Sequence, residues 1–384
     1  MFVRPMILLA FALSPLPAAE PTRIDLWEAG KGGYAIYRIP GIAATPKGTL
    51  VAYCEARKSH SDWGSIDLQV RRSTDGGATW SEPRRIGEVA GPHAQNPLVK
   101  KARKPDEITF NNPVMIADRK TGAVHFLFCI EYMRCYHSRS DDDGATFSQP
   151  VEITKAFDAF RTDYDWKVLA TGPGHGIQLK SGRLLVPVWL SRGTGGNAHH
   201  PSMVSTIVSD DGGKSWQRGE IAANETDPLK DPNETCAAEL ADGRVMLNIR
   251  HEAKERRRAV TFSKDGTTGW TTPAFDEALR EPVCFASLCR WGEATKDGPN
   301  RLLFVNPDTP TGRKNLTVRL SDDEGKSWKF SKVLDPGASA YSDLAVDGKG
   351  TIFCLYERGG YKALTLAKFD LAWLTDGKDT GTPK

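Results

Sequence analysis

One eight-residue pattern, Ser-x-Asp-x-Gly-x-Thr/Ser-Trp/Phe, returns along the chain often enough to dictate a repeating architecture. It runs Ser73-Thr74-Asp75-Gly76-Gly77-Ala78-Thr79-Trp80, then Ser140 to Phe147, Ser209 to Trp216 and Ser321 to Trp328. A degenerate copy from Ser263 to Trp270 has its glycine and its hydroxyl residue displaced. Successive copies start 54 to 69 residues apart, so each belongs to a unit of about 60 residues, and the 384-residue chain has room for six. Alternating, β-rich runs such as Ile66 to Arg72, Met203 to Val208 and Leu316 to Leu320 lead into the octets, which therefore read as hairpin turns. The chemistry suits a turn: the aspartate accepts backbone amides, glycine takes a positive φ, the hydroxyls close local bonds and the aromatic packs beneath. Units of about four strands repeated around an axis predict an all-β, six-bladed β-propeller.

Composition narrows the class. With 39% hydrophobic and 26% charged residues and a formal net charge of +3, the chain reads as soluble and globular, and nucleic acid is excluded as a partner for want of a basic face. The short basic runs Lys100, Lys101, Arg103, Lys104 and Arg256 to Arg258 lie beside acidic residues and are expected in solvated loops or strand rims. Arg4, the apolar run Met6 to Leu13, two prolines and then Ala18 and Ala19 have the order of a secretory signal over residues 1–19, predicting a secreted or periplasmic domain over 20–384. No later stretch approaches a membrane span. The seven cysteines leave at least one unpaired; Cys54, Cys129 and Cys354 read as packed thiols, and Cys284 and Cys289 as a possible bridge without the second pair a zinc site needs. His175, His199 and His200 read as surface or loop residues, with no metal ligand set around them.

Several residues stand outside the repeat. Arg38, before Pro40 in an apolar segment, is unfavourable to bury unless it meets an anion, and a guanidinium fork suits a carboxylate. Asp62 lies in a polar break, Glu55 to Asp62, between two strand-like runs, whereas Asp67 sits inside the next strand and reads as structural.

The octets resemble the Asp boxes of the sialidase (neuraminidase) superfamily, and Tyr37-Arg38-Ile39-Pro40-Gly41 is similar to the Arg-Ile-Pro motif that opens its catalytic domain. Asn233 to Leu240 followed by Asn248-Ile249-Arg250 resembles the segment ending in the family's second arginine, and Gly312-Arg313-Lys314-Asn315-Leu316 the segment holding the third. Tyr341-Ser342-Asp343-Leu344 is similar to the nucleophile segment, Asp62 to the acid/base aspartate, and Gly172-Pro173-Gly174-His175-Gly176 to a loop near the substrate mouth. The resemblance implies a bacterial-type exo-α-sialidase that retains configuration through a tyrosyl intermediate, with no cofactor and no metal, acting on sialylated glycans, glycoproteins or glycolipids. Arg38, Arg250 and Arg313 would clamp the substrate carboxylate, Tyr341 attack, Glu234 take its proton, Asp62 serve as acid then base, and Arg57 touch the sugar hydroxyls. A neutral phenol suits a substrate whose own carboxylate repels an acidic nucleophile, and three arginines are expected to favour its phenolate. Asn111-Asn112-Pro113 and Tyr132-Met133-Arg134 match no pocket residues of the family closely. Two alternatives remain: an Asp-box propeller that only binds sugar or protein, whose arginines would disperse, and the same fold acting as a trans-sialidase or on another acidic nonulosonic sugar.

Overall fold

The computed structural model describes residues 19–99, 103–226, 228–292 and 300–381, and over them the chain is built almost wholly of antiparallel strands. The expected signal segment, save its last residue, and Lys100 and Lys101 lie outside the described residues.

Strands gather in sequence order into five sheets. Four are nucleated by consecutive strands: Ile36–Ala44, Leu50–Arg57, Ile66–Ser73 and Arg84–Ile86; then Phe110–Ala117, Val124–Ile130, Arg134–Ser140 and Val151–Glu152; then Val168–Thr171, Leu184–Ser191, Ser202–Ser209 and Gln217–Arg218; then Thr235–Glu239, Val245–Ile249, Arg257–Ser263 and Ala274–Arg280. The fifth has seven strands because Phe330–Val346, 17 residues long, pairs Lys314–Ser321 with its first half and Ile352–Arg358 with its second. The first described strand, Thr22–Glu28, adds antiparallel to Ala363–Phe369, so the beginning of the chain completes the sheet that holds its end.

Every octet joins two neighbouring antiparallel strands of a sheet, as Ser73 to Trp80 does between Ile66–Ser73 and Arg84–Ile86 and Ser321 to Trp328 between Lys314–Ser321 and Phe330–Val346. In the second copy Gly144 N donates to Ser140 Oγ at 2.8 Å and Thr146 N to Asp142 Oδ1 at 2.8 Å, while Thr146 Oγ1 donates to Asp142 Oδ2 at 2.5 Å. The third and fifth copies repeat this, and the degenerate one recovers it with Thr267 N and Thr268 N on Asp265, each at 2.8 Å. Hydroxyl and amide donors from Thr146 and Ser215 hold the carboxyls of Asp142 and Asp211 down at about 2.

The core lies between the sheets. Val51, Tyr53 and Val70 meet Met115, Phe126 and Phe128 of the next sheet, and Val114, Ile116 and Leu127 meet Leu184, Val186 and Val188 of the one after. Middle strands such as Leu50–Arg57, Val124–Ile130 and Leu184–Ser191 are therefore buried along their whole length, because both faces are covered.

Two expectations need correction. Arg103 is not solvated: its guanidinium is 6% exposed and lies 2.5 Å from Glu131, and Arg258, fully buried, donates to Asn248 Oδ1 at 2.6 Å and faces Glu281 at 3.3 Å. Adjacent acids in the sequence hid this, because the partners that make burial of a cation tolerable come from other segments. Cys284 and Cys289 do not bridge; all seven cysteines are free thiols, six of them buried. Among the described residues no helix is long and apolar enough to cross a membrane.

Candidate active site

Three inner strands carry a bulge, and each bulge delivers a side chain to one cleft. In Ile36–Ala44 the register steps from Arg38 opposite Glu55 to Gly41 opposite Tyr53, so Ile39 and Pro40 share one partner residue. In Phe110–Ala117 it steps from Asn111 opposite Cys129 to Val114 opposite Leu127, and in Phe330–Val346 from Ser339 opposite Arg358 to Ser342 opposite Tyr356. Ile39 has φ 55° and Asn112 φ 51°, the left-handed region that a β-branched isoleucine adopts only under constraint from its surroundings. Two carboxylates with no exposed surface supply that constraint by accepting the amides the bulges free. Glu357 accepts Ile39 N and Tyr341 N, each at 3.1 Å, and Glu55 accepts Asn112 N at 2.8 Å.

The same carboxylates hold arginines. Glu357 takes Arg38 Nε at 2.8 Å and Nη2 at 3.2 Å, and Glu55 takes Arg57 Nε at 2.8 Å. Arg57 reaches on with Nη1 to Asp62 Oδ1 at 2.6 Å. The cleft so lined, about 230 Å³, contains all seven residues singled out from the sequence: Arg38, Arg57, Asp62, Glu234, Arg250, Arg313 and Tyr341. Arg38 and Arg313 place their guanidinium carbons 5.1 and 5.2 Å from the centre of the Tyr341 ring. Arg250 Nη1 donates to the Tyr341 hydroxyl at 2.8 Å and also to Glu234 Oε2, while the hydroxyl donates to Glu234 Oε1 at 2.7 Å. Arg313 is steadied by Val283 O at 2.9 Å and the Tyr361 hydroxyl at 3.2 Å. The buried Nε of Arg250 has no protein acceptor. Three guanidinium groups thus surround one small cleft with a phenol between them, an arrangement fitted to a planar anion.

The electrostatics of the two candidate proton carriers differ. Burial pushes the Tyr341 phenol well above its usual 10, and although Arg250, Arg313 and Arg38 pull it down, the Glu234 carboxylate works against them. The three arginines favour the phenolate as expected, but desolvation outweighs them and the net shift is upward. Asp62 goes the other way. Burial alone would raise its carboxyl, yet the Arg57 guanidinium, with Arg38 and His199 adding, holds it below the usual carboxylate range, and its side chain stays 48% exposed on the loop after Leu50–Arg57.

His199 and His200 lie in the loop between Leu184–Ser191 and Ser202–Ser209, as expected, whereas His175 sits in the short strand Gly174–His175. His199 lines the cleft within a cage of Trp63, Tyr132 and Trp189, with ring centroids 5.4, 5.2 and 5.4 Å away, and burial lowers its pKa. His200 also lines it and faces Asp231 at 3.0 Å. His175 is held 2.7 Å from the buried Asp343, outside the cleft. Asp67 is structural as read from the sequence, accepting the Tyr34 hydroxyl at 2.6 Å. Asn112 and Tyr132, from the two unmatched stretches, face the cleft, and Glu55 and Glu357 were missed altogether. The available signal was Pro40 and Pro113 inside strand-like runs, since proline in a sheet interior marks a bulge or an edge.

Comparison with known proteins follows the same lines. Residues 95–354 match the family model of the BNR repeat-like domain. The chain is 32% identical to a sialidase of Micromonospora viridifaciens, over 95% of this chain and 56% of that one, and 34% identical to a sialidase of Bacteroides fragilis, over 87% and 62%. It thus spans less than two thirds of the length of either relative. The solved structure of the Hadza microbial sialidase Hz136 superposes with a TM-score of 0.75 at 28% identity, covering 92% of this chain and 69% of that one. The repeats, the matched segments and the three-arginine cleft agree with these likenesses: the chain belongs to the bacterial-type sialidase family and carries its BNR repeat-like domain.

Proposed function

We propose that residues 20–384 form a six-bladed β-propeller that acts, after export to the periplasm or beyond, as an exo-α-sialidase. It removes terminal sialic acid from glycans, glycoproteins or glycolipids with retention of configuration. The observation that carries this reading is the Tyr341 hydroxyl hydrogen-bonded to Glu234 at 2.7 Å amid Arg38, Arg250 and Arg313. A propeller that only bound sugar would need the arginines but not a phenol paired to a carboxylate base.

This reading divides the steps among the residues of the cleft. The substrate carboxylate enters among the three guanidinium groups, whose mutual repulsion it relieves. Tyr341 attacks the anomeric carbon as its proton passes along the existing hydrogen bond to Glu234, so a phenol that is neutral at rest becomes nucleophilic only in the reacting complex. Asp62 gives its proton to the departing glycosidic oxygen. That requires it to be protonated in the complex, and the substrate carboxylate helps by offsetting the cationic field that keeps it ionised in the empty cleft. Once the leaving group has gone, Asp62 as carboxylate draws a proton from water, and water displaces Tyr341 from the anomeric carbon.

Release of sugar from a fluorogenic sialoside tests the reading. Tyr341→Phe is expected to lower kcat by more than about 1,000-fold while still binding free sialic acid through the arginines. Equal activity of the two proteins would dismiss Tyr341 as nucleophile, and an inert wild type would dismiss the substrate class.

A further inference from the structure

Two residues beyond Tyr341 on the same strand, Asp343 is buried with no exposed surface, and neither it nor its partner His175 lines the catalytic cleft. Its Oδ1 lies 2.7 Å from His175 Nδ1 and accepts Ser287 Oγ at 2.8 Å. Its Oδ2 accepts Ile42 N at 2.9 Å, and Leu344 N in turn donates to Ser287 Oγ at 3.1 Å. Ile42 and Asp343 occupy equivalent places. The strand bearing Arg38 regains its register at Gly41, and the strand bearing Tyr341 regains it at Ser342, so each residue is the next one after the break. A ladder interrupted by a bulge leaves the following residues free to slide or twist unless something pins them.

We propose that Asp343, paired with His175, is a positioning residue for Tyr341, pinning the strand that carries the nucleophile to the strand that carries Arg38 just past both bulges. The inference rests on the reading of Tyr341 as nucleophile. Glu357 fixes Tyr341 from within the bulge through its backbone amide, and Asp343 fixes it from beyond, so the phenol's height along the strand is set from both sides. Without the second anchor, Tyr341 would still be tethered but free to move relative to Glu234.

The Gly172-Pro173-Gly174-His175-Gly176 segment gains a purpose from this. It must bring an imidazole to Asp343 from a third sheet, and Gly174 and His175 do so by pairing parallel to Val114 and Met115. Gly174 has φ 77°, and a β-carbon there would stand 3.1 Å from Asp343 Oδ1 and 2.8 Å from Phe285 Cζ, so only glycine allows the approach. Burial disfavours the charge of His175, but the Asp343 carboxylate more than compensates, and the pKa is raised.

The test compares Asp343→Asn, His175→Leu and His175→Asn with wild type, reading kcat, KM and the Tyr341 to Glu234 oxygen distance in crystals of each. Asp343→Asn is expected to lower kcat by about 10- to 100-fold with KM within about three-fold, the mark of a misplaced nucleophile above an intact carboxylate clamp. His175→Leu should fall the same way, and His175→Asn, whose amide can donate where Nδ1 does, should recover most of the loss. Folded Asp343→Asn and His175→Leu proteins with kcat within about two-fold of wild type would overturn the proposal, as would His175→Asn no better than His175→Leu. Should Asp343→Asn fail to fold, the histidine pair decides. Should wild type act on no sialoside, the functional reading falls on its own, and the crystals still decide: a Tyr341 to Glu234 distance unchanged from 2.7 Å in the His175→Leu protein overturns the pinning.

Discussion

The carboxylates of the octets and those of the cleft do the same physical job, capturing backbone amides that a sheet cannot pair, but at opposite ranges. Asp142 takes the amide and hydroxyl of Thr146, four residues away, on an exposed rim. Glu357 takes the amide of Ile39 from 318 residues away, in an interior with no exposed surface. Short-range capture builds a turn that needs nothing from the rest of the molecule. Long-range capture holds a bulge open only once the sheets have packed together, and in return it can fix a side chain of the cleft. Local rigidity is therefore cheap and repeated, and site geometry is singular and dependent on the fold.

The contrast predicts a steep gradient in the cost of removing a carboxylate. Glu357→Ala strips two buried amides and the Arg38 guanidinium of their acceptor, and urea unfolding is expected to show a loss of about 3 to 5 kcal/mol together with loss of sialoside turnover. A loss under about 1 kcal/mol would erase the distinction between the two regions. Arg57→Lys keeps a cation beside Glu55 but withdraws the arm that reaches Asp62. The Asp62 pKa should rise, and because Asp62 must carry its proton in the first step, the alkaline limb of the kcat/KM profile should move to higher pH; a limb that stayed put or moved down would show that Arg57 does not govern that proton.

The rim is expected to give smaller effects. Because Asp142 and Asp211 have pKa values of about 2 in the folded chain, below their ordinary 3.8, their contribution is complete above pH 4 and lost as pH falls through about 2. Asp142→Asn and Asp211→Asn together should flatten the stability profile between pH 2 and 4, measured by urea midpoints, with the loss of stability fully present at pH 7. Smallest of all, Asp211→Ala should cost about 1 kcal/mol at neutral pH and leave turnover intact, since its exposed partner Ser215 can turn to water. A large loss of activity from that change would couple the rim to the cleft.

The range of each contact decided what could be read beforehand. The Asp-box turns were legible because every bond from Ser73 to Asp75 to Thr79 closes within a few residues, so the pattern is itself the structure. Arg38, Arg250, Arg313, Tyr341, Glu234, Asp62 and Arg57 were found through resemblance of their segments, and the fold brings them to one cleft. Glu55 and Glu357 were not found, because nothing around them distinguishes a strand glutamate that accepts distant amides from one that faces water. His175 was misplaced for the same reason: the carboxylate that meets it comes from another sheet. The pull of the arginines on Tyr341 was legible, but the burial that outweighs it was not, because desolvation depends on packing from several sheets.

By itself the sequence determined an all-β chain of repeated hairpin units and the chemical types of its site residues, since periodicity and local hydrogen bonding are written into neighbouring positions. Tertiary structure alone decided that Glu357 accepts the amides two bulges free, and that burial outweighs the arginines around the Tyr341 phenol. These depend on desolvation and on partners from different sheets, and neither exists until the sheets have packed.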